Sequence, residues 1–83
     1  MQVRVYVALK KTVLDPQGQA IQAALARQGH AVEAVRQGKF FELELAAETA
    51  EAARREAETI ARDVLSNPVI EEFRVVLPEA GSQ

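Results

Sequence analysis

The chain has 83 residues, a net charge of −2, one histidine, and neither cysteine nor tryptophan. That length allows one domain with a thin core, since fifteen residues are alanine and only Tyr6, Phe40, Phe41 and Phe73 are aromatic. Disulfides are excluded and a structural zinc site has too few ligands, so association is the remedy left for a thin core. The negative charge argues against binding a nucleic-acid backbone, and no apolar run reaches the ~18 residues of a membrane span.

Residues 2–10 alternate, with Val3, Val5, Val7 and Leu9 on one face and Gln2, Arg4, Tyr6 and Lys10 on the other. Period two with β-branched residues predicts a half-buried strand. Asp15-Pro16 is a helix start: the carboxylate caps free N–H groups, and proline at the first helical position loses no bond. Ile21, Ala24 and Leu25 carry that helix to a stop at Gly29. A strand is predicted over 31–36, a tight turn at Gln37-Gly38, and a second strand over 40–45 with Phe41, Leu43 and Leu45 inward. The clearest helix runs over 48–65, with the stripe Ala53, Ala57, Ile60, Ala61 and Val64. Asn67-Pro68 breaks it, and a last strand over 69–77 turns Phe73, Val75 and Leu77 inward.

The order β-α-β-β-α-β predicts an α+β fold, a two-layer sandwich with both helices on one face of a mainly antiparallel sheet. Residues 1–78 form the single domain, and 79–83 are expected to be a disordered tail. The uncovered face would carry Arg4, Tyr6, Val35, Phe40, Ile70, Arg74 and Val76, with Glu42 and Glu44 among them. An apolar group of that kind marks a partner site.

The reactive groups are sparse. No serine stands in a G-x-S-x-G context, His30 reads as a solvated turn residue, and Glu42, Glu44, Glu71 and Glu72 read as outward strand positions. No glycine-rich phosphate loop is present. The chain is therefore expected to catalyse nothing alone and to bind no cofactor or metal. An RNA-recognition module would need basic and aromatic residues where 39–44 reads Lys-Phe-Phe-Glu-Leu-Glu. An acyl-phosphate hydrolase of this topology would need an anion-cradling loop after the first strand, where 10–14 contains no glycine. A stand-alone dimeric regulatory or ligand-binding domain stays open.

Three stretches in series, 7–21 (with Lys10-Lys11-Thr12 and Asp15-Pro16-Gln17-Gly18), 35–43 (Val35-Arg36-Gln37-Gly38-Lys39-Phe40-Phe41-Glu42-Leu43) and 65–75 (with Ser66-Asn67-Pro68), resemble one family. The chain over 3–77 resembles PurS, the small subunit of phosphoribosylformylglycinamidine synthase. The resemblance implies a step of de novo purine synthesis in the cytoplasm. There a PurQ-like glutaminase frees ammonia, and a PurL-like synthetase carrying ATP and magnesium uses it to convert formylglycinamide ribonucleotide. The small subunit is then a non-catalytic bridge, dimeric or larger, with no part for nucleic acid or membrane. Asp15, Gln17, Gly18, Arg36, Lys39, Phe40 and Asn67 are the expected subunit contacts, Arg36 and Lys39 because hairpin tips project.

Overall fold

Alternation makes β1 (Gln2–Leu9) the centre of the molecule. In a computed structural model describing residues 1–78, Val3, Val5 and Val7 are fully buried and their neighbours face outward. β1 pairs antiparallel with β2 (Gly38–Glu44) on one side and β3 (Glu71–Val76) on the other, giving the order β2-β1-β3. Val5 stands between Phe41 and Val75, and Tyr6 between Phe40 and Arg74.

One helix covers the valine face. α2 (Ala50–Ile60) is capped by Thr49, whose Oγ1 accepts the Ala52 N–H at 3.1 Å, and it buries Ala53 and Ala57. A π-helical turn, Ala61–Leu65, continues it and buries Ala61. Three alanines let the helix ride close to the valines, while Phe41, Leu43, Phe73 and Val75 fill the flanks. The stripe read from the sequence ends on Val64, yet Val64 is 75% exposed and Leu65 packs in the core instead. The wider π turn is the reason: it inserts one position before the chain returns to the sheet. Ser66 secures it, its Oγ donating to the Ala61 carbonyl at 2.7 Å.

α1 (Pro16–Arg27) starts as its sequence predicts, with Asp15 Oδ1 accepting the Gly18 N–H at 3.0 Å. It ends in a Schellman arrangement. The Gly29 N–H reaches the Ala26 carbonyl and the His30 N–H that of Leu25, with Gly29 at φ 91°. Its expected position is only partly met. Gly18 is the one buried residue of α1, and Ile21 is 40% exposed. Neither core cluster contains an α1 side chain.

The strand expected over 31–36 does not form in this chain. That segment runs beside α1 instead, held by the Gln22 amide, whose Nε2 donates to the carbonyls of Val32 at 3.1 Å and Glu33 at 2.8 Å. Val32 and Val35 are its half-buried residues, three positions apart, so no period-two face exists to bury. The tight turn at Gln37-Gly38 is likewise absent: Gly38 opens β2 opposite Ala8. The α+β class and antiparallel sheet stand as read. The tail expected at 79–83 lies outside the described residues.

α1 and residues 31–37 thus form an arm beside the sheet layer, and the molecule measures 49 × 31 × 15 Å. Its radius of gyration is 16.0 Å, against roughly 12 Å for a compact chain of this length.

Candidate functional site

Two surfaces stand out, one polar and one aromatic. The polar one is the junction where the arm meets the sheet. Asp15 sits at its centre, 5% exposed, accepting from the Gly18 N–H with Oδ1 and from the Gln37 N–H at 2.9 Å with Oδ2. The Gln37 and Gly18 bonds, and then the nearby Arg36 charge, hold its carboxyl below the usual 3.8 against the opposing cost of burial. Gly18 is required by proximity: a Cβ there would lie 2.3 Å from the Val35 carbonyl oxygen.

Arg36 closes the junction from outside. Its Nη2 donates to the carbonyls of Leu9 at 3.0 Å and Lys10 at 2.9 Å, and Nη1 to that of Val13 at 3.4 Å. The projecting hairpin tip expected for Arg36 is therefore not what it occupies. Its planar fork stitches the loop after β1 to the arm, a task suited to several fixed donors. Beside it lies an open groove of about 390 Å³ between residues 11–15, α1 and residues 34–36.

Gln17 and Lys39 meet Asp15 in a second cavity, of about 200 Å³, at the end of the valine face. Lys39 Nζ lies 3.5 Å from Glu71 Oε2, and Glu71 Oε1 accepts the Asn67 N–H at 2.7 Å. Asn67 is a turn former: its Oδ1 accepts the Val69 N–H at 3.1 Å, and its carbonyl accepts from Ile70 and Glu71. Asp15, Gln17, Gly18, Arg36, Lys39 and Asn67 therefore gather at one end. Phe40 alone stands on the opposite face. Glu71 corrects the sequence reading: its side chain is only 14% exposed. Its parity with Phe73 and Val75 was the available signal.

The aromatic surface is the uncovered sheet face. Tyr6 and Phe40 pack with ring centroids 5.1 Å apart and planes inclined 31°. The Arg74 guanidinium lies 4.9 Å from the Tyr6 centroid, within cation–π range. Arg4 reaches Glu42 at 3.9 Å across the same face. Arg4, Tyr6, Phe40, Glu42, Glu44, Arg74 and Val76 lie on this face as period two assigns them, whereas Val35 lies in the arm and Ile70 in the turn before β3.

Among the described residues no three carboxylate, imidazole or thiol groups cluster to hold a metal, and no helix is long and apolar enough to cross a membrane. The polar junction fixes loops through its hydrogen bonds, and the aromatic face stacks Phe40, Tyr6 and Arg74 across the three strands.

Residues 2–79 match the family described as PurS, phosphoribosylformylglycinamidine (FGAM) synthase. The chain belongs to the PurS family. It is 47% identical over 72 residues to the PurS subunit of that synthase from Mycobacterium leprae, spanning 86% of this chain and 87% of the relative. The Bacillus subtilis PurS subunit is 40% identical over 86 residues, spanning 98% of this chain and 96% of its own. Among solved structures, PurLQS from Thermotoga maritima contains a chain superposing with a TM-score of 0.84 at 33% identity, over 90% of this chain and 93% of that one. PurS proteins thus share this fold and bear the name of a synthase subunit.

Proposed function

We propose that this chain is the non-catalytic small subunit of a phosphoribosylformylglycinamidine synthase assembly in de novo purine synthesis. It associates with itself, as a dimer or larger, and bridges a PurL-like synthetase and a PurQ-like glutaminase in the cytoplasm. The observation that carries this is its membership of the PurS family, joined to its likeness to a chain of PurLQS. The physics of the bridge is proximity: ammonia freed into water is diluted and mostly protonated, whereas a held geometry delivers it at high effective concentration. ATP and magnesium belong to the synthetase partner, and this chain binds neither.

The elongated shape supports the reading, because an arm whose helix buries no large side chain gains cover from other chains. The end holding Gln17, Lys39 and Asn67, and the face holding Phe40, are the surfaces offered for contact. Asp15, Gly18 and Arg36 shape the first from within.

Reconstitution with purified glutaminase and synthetase tests the proposal. Glutamine-dependent product formation is expected to require this chain, while formation from added ammonium salt proceeds with the synthetase alone. Equal glutamine-dependent rates without the chain overturn it. Tight binding of a small metabolite in the 390 Å³ groove with no capture of either large subunit returns the chain to the stand-alone ligand-binding reading.

A further inference from the structure

The loop after β1, residues 10–14, is fixed more firmly than its own side chains require. Arg36 holds it through the carbonyls of Leu9, Lys10 and Val13, and the Val13 N–H returns to the Lys10 carbonyl at 2.9 Å. The Lys10 N–H donates to the Ile70 carbonyl at 2.9 Å, which ties the loop to the turn before β3. Yet Lys11 and Thr12 are exposed, and Leu14 is 65% exposed. Among the described residues no carboxylate forms an ion pair with Lys10 or Lys11. The adjoining turn adds Val69, 77% exposed. A fixed loop that offers uncommitted cations and bare aliphatic side chains is preorganised for recognition, since little ordering cost remains on binding.

The groove beside the loop narrows the occupant. Its polar groups are mostly spent: the Asp15 carboxylate on the Gly18 and Gln37 N–H groups, the Gln22 amide on the Val32 and Glu33 carbonyls, and Arg36 on the loop. Few are left to orient a small molecule from several sides. What remains is the Lys11 ammonium and an apolar lining of Val13, Leu14, Ala34 and Val35, in an open trough of about 390 Å³. That suits one large apolar side chain of an extended segment whose neighbouring carboxylates face the lysines. A second copy seated loop against loop about a two-fold axis would set Lys10 and Lys11 opposite their own kind. Like charges reject that arrangement.

We propose that loop 10–14 and its groove receive an acidic segment of one of the two larger subunits. Leu14 packs on an apolar side chain of that segment, and Lys11 pairs with a carboxylate beside it. Arg36 is the positioning residue, holding the loop without touching the partner. The proposal rests on the bridging function given above; the surface, the chemistry of the segment it takes and the task of Arg36 are new.

Capture of purified glutaminase and synthetase by the immobilised full chain, in the reconstitution mixture described above, tests the docking. Lys11→Glu and Leu14→Ala are each expected to raise the dissociation constant for one larger subunit at least about tenfold and to leave the other unchanged. Lys11→Gln weakens capture by less and flattens its dependence on salt, because one screened charge pair is gone. Arg36→Ala weakens capture while keeping the wild-type salt dependence, which separates holding the loop from touching the partner. Sedimentation and circular dichroism melting of the same variants are expected to match the wild type for Lys11 and Leu14. Undiminished capture of both subunits by Lys11→Glu and Leu14→Ala overturns the proposal. So does a loss of self-association in these variants, which gives the loop to a second copy, and so does a groove that binds a small metabolite in place of either subunit. A wild-type chain that captures neither larger subunit overturns the bridging function itself.

Discussion

The covered half of the sheet and the arm beside it are held by different physics. Over Val3, Val5 and Val7, three alanines of the second helix region exclude water by close approach, and no polar bond is needed. In the arm, α1 and residues 31–37 are joined by hydrogen bonds of the Gln22 amide and the Asp15 carboxylate, with one buried glycine between them, and Arg36 ties the arm to the loop after β1. Apolar burial is insensitive to direction and scales with area, whereas hydrogen bonds near water contribute little net stability but fix geometry. The first region supplies stability, and the second holds a shape that other chains can complete.

Variants that break one region and spare the other separate these roles. The largest effect is expected from Ala57→Leu. Extra bulk between α2 and the buried valines costs about 3 kcal/mol, and melting falls by roughly 12–24 °C in a chain of this size. Asp15→Ala comes next and acts on the arm, leaving the N–H groups of Gly18 and Gln37 without their acceptor. Their amides are expected to exchange at least about tenfold faster while those of Val3 and Val5 change little, as read by hydrogen exchange. Equal acceleration in both regions would show that arm and sheet open together. Arg36→Ala removes three donors from an exposed position and costs about 1 kcal/mol. Its signature is faster proteolysis at residues 10–14, which Arg36→Lys does not rescue because one ammonium cannot span the three carbonyls.

The smallest effect is that of acid. Asp15 titrates lower folded than unfolded, so its contribution is fully present above the unfolded value near 3.8 and lost as pH falls through the lower folded value. Melting temperature is expected to lose this contribution only below about pH 4, and Asp15→Asn removes that part of the acid limb. A wild-type acid limb that runs parallel to that of the variant, with the same difference above and below pH 4, would refute the role given to this carboxylate.

The covered half was legible in the sequence because its signals are local. Alternation along 2–9 places Val3, Val5 and Val7, and helical spacing places Ala53, Ala57 and Ala61. The aromatic face followed from the same period. The arm was harder to read, since its bonds join residues distant in sequence. Nothing within 31–36 announces that Gln22 will take the carbonyls of Val32 and Glu33, and nothing near Arg36 points to the carbonyls of Leu9 and Lys10. Asp15 and Gly18 looked like a cap and a small residue, and both are; their ties to Gln37 and Val35 needed the fold. Val64 failed for a narrower reason, because a pattern built on 3.6 residues per turn cannot foresee a wider one.

That wider turn, Ala61–Leu65, also sets the phase between helix and strand. α2 keeps the spacing its alanines need, β3 keeps the register that puts Phe73 opposite Val7, and one additional position absorbs the mismatch. Deleting a single residue there would rotate everything after it by about 100°. Glu71, Phe73 and Val75 would then leave the valine side together, and with them the ion pair to Lys39. A short irregularity in one helix thus works as a gear between two repeats that share no common period.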